Sequence, residues 1–95
     1  MPLTYVYLLK CADQTYYTGI TISLETRLRQ HQIGTFRKCY TFKRRPIELV
    51  YCCVFTDPQK AVTRKDQIKK WSQAKKEALI AANYQMLPGF SKKRF

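Results

Sequence analysis

Two β-prone runs lie almost back to back near the start of this 95-residue chain. Residues 3–11 (LTYVYLLKC) are β-branched, aromatic and aliphatic, and residues 16–20 (YYTGI) repeat that chemistry after a short polar break, ADQT. A break this short predicts a β-hairpin. It lacks an Asn-Gly pair, so the turn type is left open. Ser23 then stands as the expected N-cap of a helix over about 24–33, which carries Leu24, Glu25, Arg27, Leu28 and His31 and ends near Gly34. Residues 35–45 (TFRKCYTFKRR) have no period and predict a loop with at most one helical turn. Pro46 opens a new element, and IELVYCCVF (47–55) predicts a third strand, apolar enough to be central in its sheet. Asp57 and Pro58 predict the cap and first position of a helix from 58 to about 71. A further helix follows from about 72 to 83, capped by Ser72, with Leu79, Ile80 and Ala82 on its apolar side.

The order β-β-α-β-α-α predicts a small α/β domain over residues 1–84, with a three-stranded, largely antiparallel sheet flanked by helices. Residues 85–95 are read as a basic C-terminal tail, expected to be an extended arm or poorly ordered. An apolar share of 45% is enough for one folded domain at this length.

Charge narrows the function. There are 18 Lys and Arg against 6 Asp and Glu, a formal net charge of +12. The excess is lopsided: Lys10 is the single basic residue before Arg27. Such an excess points to a polyanion, because neutralising phosphates releases counterions. No segment reaches the length of a membrane span, and the first residues lack the basic start of a signal peptide, so a cytoplasmic protein is expected. Cys11, Cys39, Cys52 and Cys53 contain no C-x-x-C pair and accompany a single histidine, His31. Free thiols are expected rather than a zinc site, with Cys52 and Cys53 on opposite faces of their strand.

Tyr5-Val6-Tyr7, a gap, then Tyr17-Thr18-Gly19 resembles the paired signature of the GIY-YIG nuclease domain, with Tyr5 and Val6 in place of Gly and Ile. The helix bearing Arg27 and His31, the run from Thr41 to Arg45-Pro46, and a strand leading into a basic helix extend the likeness over roughly residues 3–83. The pattern looks most like the small bacterial stand-alone GIY-YIG proteins. The resemblance implies a domain that hydrolyses phosphodiester bonds in DNA, damaged or branched forms included, with one divalent metal, Mg²⁺ or Mn²⁺. It implies that Tyr7 and Tyr17 face one groove, where one of them positions and activates the attacking water. Arg27 would hold the scissile phosphate and His31 would assist proton movement. Gly19, Thr41 and Pro46 would be structural.

Each role suits its residue. Tyrosine, with a free pKa of about 10, becomes a base at neutral pH only where a cation lowers that value. Arg27 and His31 are i, i+4 and project from one helix face. A guanidinium grips phosphate bidentately, and imidazole gives or takes a proton near pH 7. Taken singly, strand tyrosines more often pack a core.

A further position departs from the family pattern. The helix after the third strand should carry Ala-x-x-x-Glu-x-x-Ile-Lys, the glutamate binding the metal. Here Ala61, Ile68 and Lys69 align, and Lys65 stands at the glutamate position. An ammonium offers no lone pair to a cation. Asp66 is turned about 100° away on the helix. Metal binding is therefore doubtful, and cleavage is expected to be impaired while groove and phosphate affinity survive.

Arg37, Lys38, Lys43, Arg44 and Arg45 in the loop, with Arg64 and Lys69 on the helix, are the candidate nucleic-acid-binding residues. Phe36, Tyr40 and Phe42 among them suit stacking on unpaired bases, or equally pinning the loop to the core. DNA is the expected partner and RNA the second. The alternative function is a non-catalytic DNA- or RNA-binding module on the same fold, or a basic ribosome-associated protein.

Overall fold

The computed structural model describes residues 3–83; the expectations for the tail, residues 85–95, lie outside the described residues. Strand β1 (Thr4–Lys10) and strand β2 (Tyr16–Thr21) form the hairpin, followed by helix α1 (Leu24–Ile33). A single 3₁₀ turn (Phe42–Arg44) interrupts the loop before strand β3 (Glu48–Phe55), and helices α2 (Pro58–Lys69) and α3 (Gln73–Asn83) complete the order. All pairings are antiparallel, and the strand order is β2-β1-β3.

That order corrects one expectation. The third strand is apolar, yet it lies at the edge, and β1 is central. Val6, Tyr7, Leu8 and Leu9 are each at most 1% exposed, because β1 is covered on both faces, whereas Val54 on β3 is 51% exposed. Val6 and Leu8 pack with Val50, Tyr51, Ala61 and Ile68 under α2. Tyr7 and Leu9 pack with Cys11, Ile47, Leu24 and Leu28 under α1. Alternation along β1 thus sorts its side chains into two half-cores, one per helix layer. Cys52 falls in the α1 layer and Cys53 in the α2 layer. All four cysteines are free.

The helix ends follow local chemistry with one exception. The Asp57 carboxylate accepts the Gln59 N–H at 2.9 Å, and Ser72 Oγ accepts the Lys75 N–H at 3.2 Å. Both satisfy amides left free by the first turn. Ser23 occupies the N-cap position of α1, but its side chain makes no capping bond; its backbone N–H instead donates to Thr21 Oγ1 at 3.1 Å. Gly34 closes α1 in the left-handed region, with φ 80°. The Arg45 guanidinium lies over this end and donates to the Gln32 carbonyl at 3.3 Å. The hairpin turn uses Gln14 at φ 71°. Among the described residues no helix is long and apolar enough to cross a membrane.

Gly19 lies inside β2, which continues to Thr21. It lies directly across from Tyr7 in the β1–β2 register. A Cβ at residue 19 would fall 2.3 Å from the Cζ and hydroxyl oxygen of Tyr7. The absence of a side chain is what lets the phenol lie flat across the neighbouring strand. Gly19→Ala is therefore expected to destabilise the domain by about 1–3 kcal/mol, the range for overpacking. Chemical denaturation checks this, and Tyr7→Leu, which vacates the space, should remove most of the difference.

Candidate functional site

Tyr7, Tyr17, Arg27 and His31 gather on the α1 face of the sheet. Tyr17 pairs in register with Leu9, and so stands on the same face as Tyr7, one pleat along. The two phenol rings are 6.4 Å apart, centre to centre, and each faces the His31 ring, at 6.0 and 5.3 Å. The Tyr7 hydroxyl and His31 Nε2 are 3.1 Å apart. Tyr7 is 1% exposed and His31 is 2% exposed. They form the inner part of the site, with the half-buried Tyr17 and Arg27 around them.

The loop closes the site from the other side. Thr41, 1% exposed, places its hydroxyl 2.9 Å from His31 Nδ1. The Phe36 ring meets the His31 ring at 5.3 Å, and the Arg27 guanidinium lies over the same Phe36 ring, also at 5.3 Å. Tyr40 stacks on Tyr17 at 6.5 Å, and the Arg44 guanidinium covers Tyr40 at 3.8 Å. Arg44 is tied down further by Asp13 and the Tyr40 carbonyl, both at 2.9 Å. These contacts hold the loop aromatics in place. Tyr40 is held between Tyr17 and Arg44, and Phe42 packs under the Arg45 guanidinium at 4.6 Å.

Electrostatics set the protonation states. Burial pushes the Tyr7 phenol above its ordinary value, and the neighbouring Arg27 guanidinium only partly opposes it. Tyr17 is raised further, by burial and by the hydrogen bond it gives to Cys39. His31 is held below its ordinary value, first by burial and then by repulsion from Arg27. Burial works against a Cys39 thiolate, but bonds from Thr41, Tyr17 and the backbone outweigh it and hold the thiol below its ordinary value. At neutral pH the site therefore contains two phenols, a neutral imidazole and one guanidinium. Cys39 and the direct hold of Thr41 on His31 escape sequence reading. Thr41 lies ten positions from His31 with no periodic relation to it.

Lys65 stands on α2. Its helix packs on the other face of the sheet, through Ala61 and Ile68, both fully buried. The Lys65 side chain is 26% exposed and pairs with the Asp66 carboxylate at 3.4 Å. The donor set does not fit a divalent cation. Among the described residues no group of three or more His, Cys, Asp or Glu could hold one. The buried polar atom without a partner, Thr18 Oγ1, is a single neutral oxygen, far short of the six or so that Mg²⁺ requires. Of the candidate nucleic-acid contacts, Arg37, Lys38, Lys43 and Lys69 are exposed. Arg44 and Arg45 are engaged within the loop, and Arg64 stacks on Trp71 at 5.0 Å. Pro46 follows a cis peptide bond and leads into β3.

A three-stranded antiparallel sheet with a tyrosine pair, arginine and histidine on one face defines a GIY-YIG-type domain. The GIY-YIG catalytic domain model matches residues 3–78, and the chain belongs to the GIY-YIG family. Within it, the chain is similar to UPF0213 proteins. That of Syntrophus aciditrophicus strain SB is 42% identical over 83 residues, covering 87% of this chain and 95% of that protein. A UPF0213 protein of Natronomonas pharaonis is 47% identical over 77 residues, covering 81% and 89%. The solution NMR structure of a UPF0213 protein from Bacillus halodurans superposes with a TM-score of 0.58 at 33% sequence identity, covering 86% of each chain.

The depressed His31 pKa has a consequence for stability. The unfolded chain takes up the proton near the ordinary value of 6.5 and the folded chain at a lower pH. Between the two values the unfolded state binds more protons, so stability falls as pH drops below 6.5 and through the folded value. Thermal melts over that interval should show this loss, and His31→Gln should flatten it.

Proposed function

We propose that the chain is a GIY-YIG-type domain that binds DNA, phosphates first, with its hydrolytic step impaired. The observation that carries this reading is the convergence of Tyr7, Tyr17, Arg27 and His31 on one face, with no metal-binding carboxylate among them. Arg27 supplies a permanent bidentate donor for a phosphodiester. Tyr17 and Arg27 meet the phosphate, and the Tyr7–His31 pair lies behind them as the proton-accepting element. Arg37, Lys38 and Lys43 extend phosphate contact along the loop, and Lys69 does so from α2. Contacts of this kind position the ligand without reading sequence, so little sequence preference is expected.

Impairment follows from the charges. A phenol accepts a proton at neutral pH only if a strong positive field lowers its pKa, and here burial outweighs the effect of Arg27 on Tyr7. The family's glutamate would bring a further cation; Lys65 cannot bind one and repels it. The net charge of +12 and the four free cysteines suit a cytoplasmic protein working on nucleic acid.

Nicking of supercoiled and branched DNA with Mg²⁺ or Mn²⁺ tests the reading. The present sequence should cut poorly. Lys65→Glu should raise the rate on the order of 10²-fold, the effect of several kcal/mol of transition-state stabilisation by a metal. DNA affinity should fall about 10²-fold between about 50 and about 200 mM salt, as for roughly four phosphate contacts. Vigorous metal-dependent cutting by the present sequence, equal in Lys65→Glu, would contradict impairment. Affinity indifferent to salt would contradict phosphate binding.

A further inference from the structure

His31 is the sole histidine of the chain, and both of its ring nitrogens are engaged. Nδ1 lies 2.9 Å from Thr41 Oγ1, and Nε2 lies 3.1 Å from the Tyr7 hydroxyl. A neutral imidazole has one N–H and one lone pair, and its partners decide which nitrogen holds the proton. Here both partners are hydroxyls, able to donate or accept, so they do not decide between themselves.

The choice is made one atom further out. Thr41 donates its O–H to Cys39 Sγ at 3.4 Å. A hydroxyl has one proton. Once Thr41 gives it to sulfur, its oxygen can only accept from His31. Nδ1 must then carry the N–H, Nε2 must hold the lone pair, and the Tyr7 hydroxyl must donate. We propose that Thr41 is a positioning residue that locks His31 in the Nδ1–H tautomer and thereby makes Nε2 the acceptor of the Tyr7 phenol proton. This rests on the reading of Tyr7 and His31 as parts of a phosphodiester site.

The step it prepares is balanced. The O–H bond of Tyr7 breaks, the N–H bond at Nε2 forms, and phenol and imidazole become phenolate and imidazolium with no change in total charge. Throughout, the Nδ1–H stays on Thr41. The reverse tautomer would point an N–H at the phenol and leave no base there. Thr41 is nearly inaccessible to water, so no solvent molecule substitutes for its hydroxyl.

Because there is one histidine, a ¹⁵N-histidine-labelled sample gives one imidazole spin system. Long-range ¹H–¹⁵N correlation should show a protonated Nδ1 and a bare Nε2. Thr41→Val should shift the pattern toward the Nε2–H form, and Thr41→Ser should restore it. Tyr7→Phe should leave Nδ1 protonated, since the tautomer is set from the Thr41 side. An Nε2–H tautomer in the unaltered protein would overturn the proposal, as would reversal in Tyr7→Phe or an unchanged pattern in folded Thr41→Val. Should Thr41→Val fail to fold, the unaltered protein and Tyr7→Phe still decide. The readout needs no DNA, so an Nδ1–H pattern in a protein that ignores DNA would sink the site reading alone. The opposite pattern in a protein that binds DNA would sink the tautomer proposal alone.

Discussion

The packing of the Tyr7 phenol across Gly19, with its hydroxyl on His31, is the contact on which the rest of the site depends. It joins the central strand to the hairpin's second strand through close approach. It joins that strand to α1 through the imidazole, and to the loop through Thr41. Loss of the phenol would leave His31 with a buried, unpaired nitrogen, costing about 1–3 kcal/mol. Loss of the glycine would push the ring out of line with the imidazole. One side chain thus sets both the packing of the α1 layer and the geometry of its polar centre.

The two faces of the sheet divide the labour. Alternation along β1 sends Val6 and Leu8 to a dry half-core under α2 and Tyr7 and Leu9 to a half-core that holds the polar network. Buried polar groups are tolerated there because each bonds to another: Tyr7 to His31, His31 to Thr41, Thr41 to Cys39. The cost of that arrangement is chemical. A buried phenol resists ionisation, and the one permanent cation beside it, Arg27, does not overcome the burial. The proposed phosphate site is thus, by itself, poorly supplied to activate a nucleophile.

Sequence made the element order legible because the periodicities are clean and the punctuation is strong. Gly34, Asp57-Pro58 and Ser72 each stop or start a helix by their own local chemistry. Tyr7, Tyr17, Arg27 and His31 were legible through the resemblance of their motifs to the GIY-YIG signature. The position of β3 was not, because an apolar run can be buried by central placement or by a helix laid over an edge, and the run looks the same either way. Ser23 marks the start of α1 as its sequence position suggests, but its hydroxyl makes no capping bond; its own N–H donates to Thr21 Oγ1 instead. The loop was least legible. Arg44 and Arg45 read as free cations, yet Asp13 and the end of α1, distant in sequence, claim them. Thr41 and Cys39 join the site by loop closure, which leaves no periodic trace.

The central claim is that the Tyr7–Tyr17–Arg27–His31 cluster is a phosphodiester-binding pocket that needs no metal to bind. The most direct test is to follow the Tyr17 ring, Arg27 guanidinium and His31 imidazole NMR signals while a short DNA duplex is added in the presence of a chelator. The account predicts saturable shifts of all three, unchanged when Mg²⁺ replaces the chelator. Shifts confined to the exposed lysines while these three stay silent, or shifts that appear only with Mg²⁺, would contradict it.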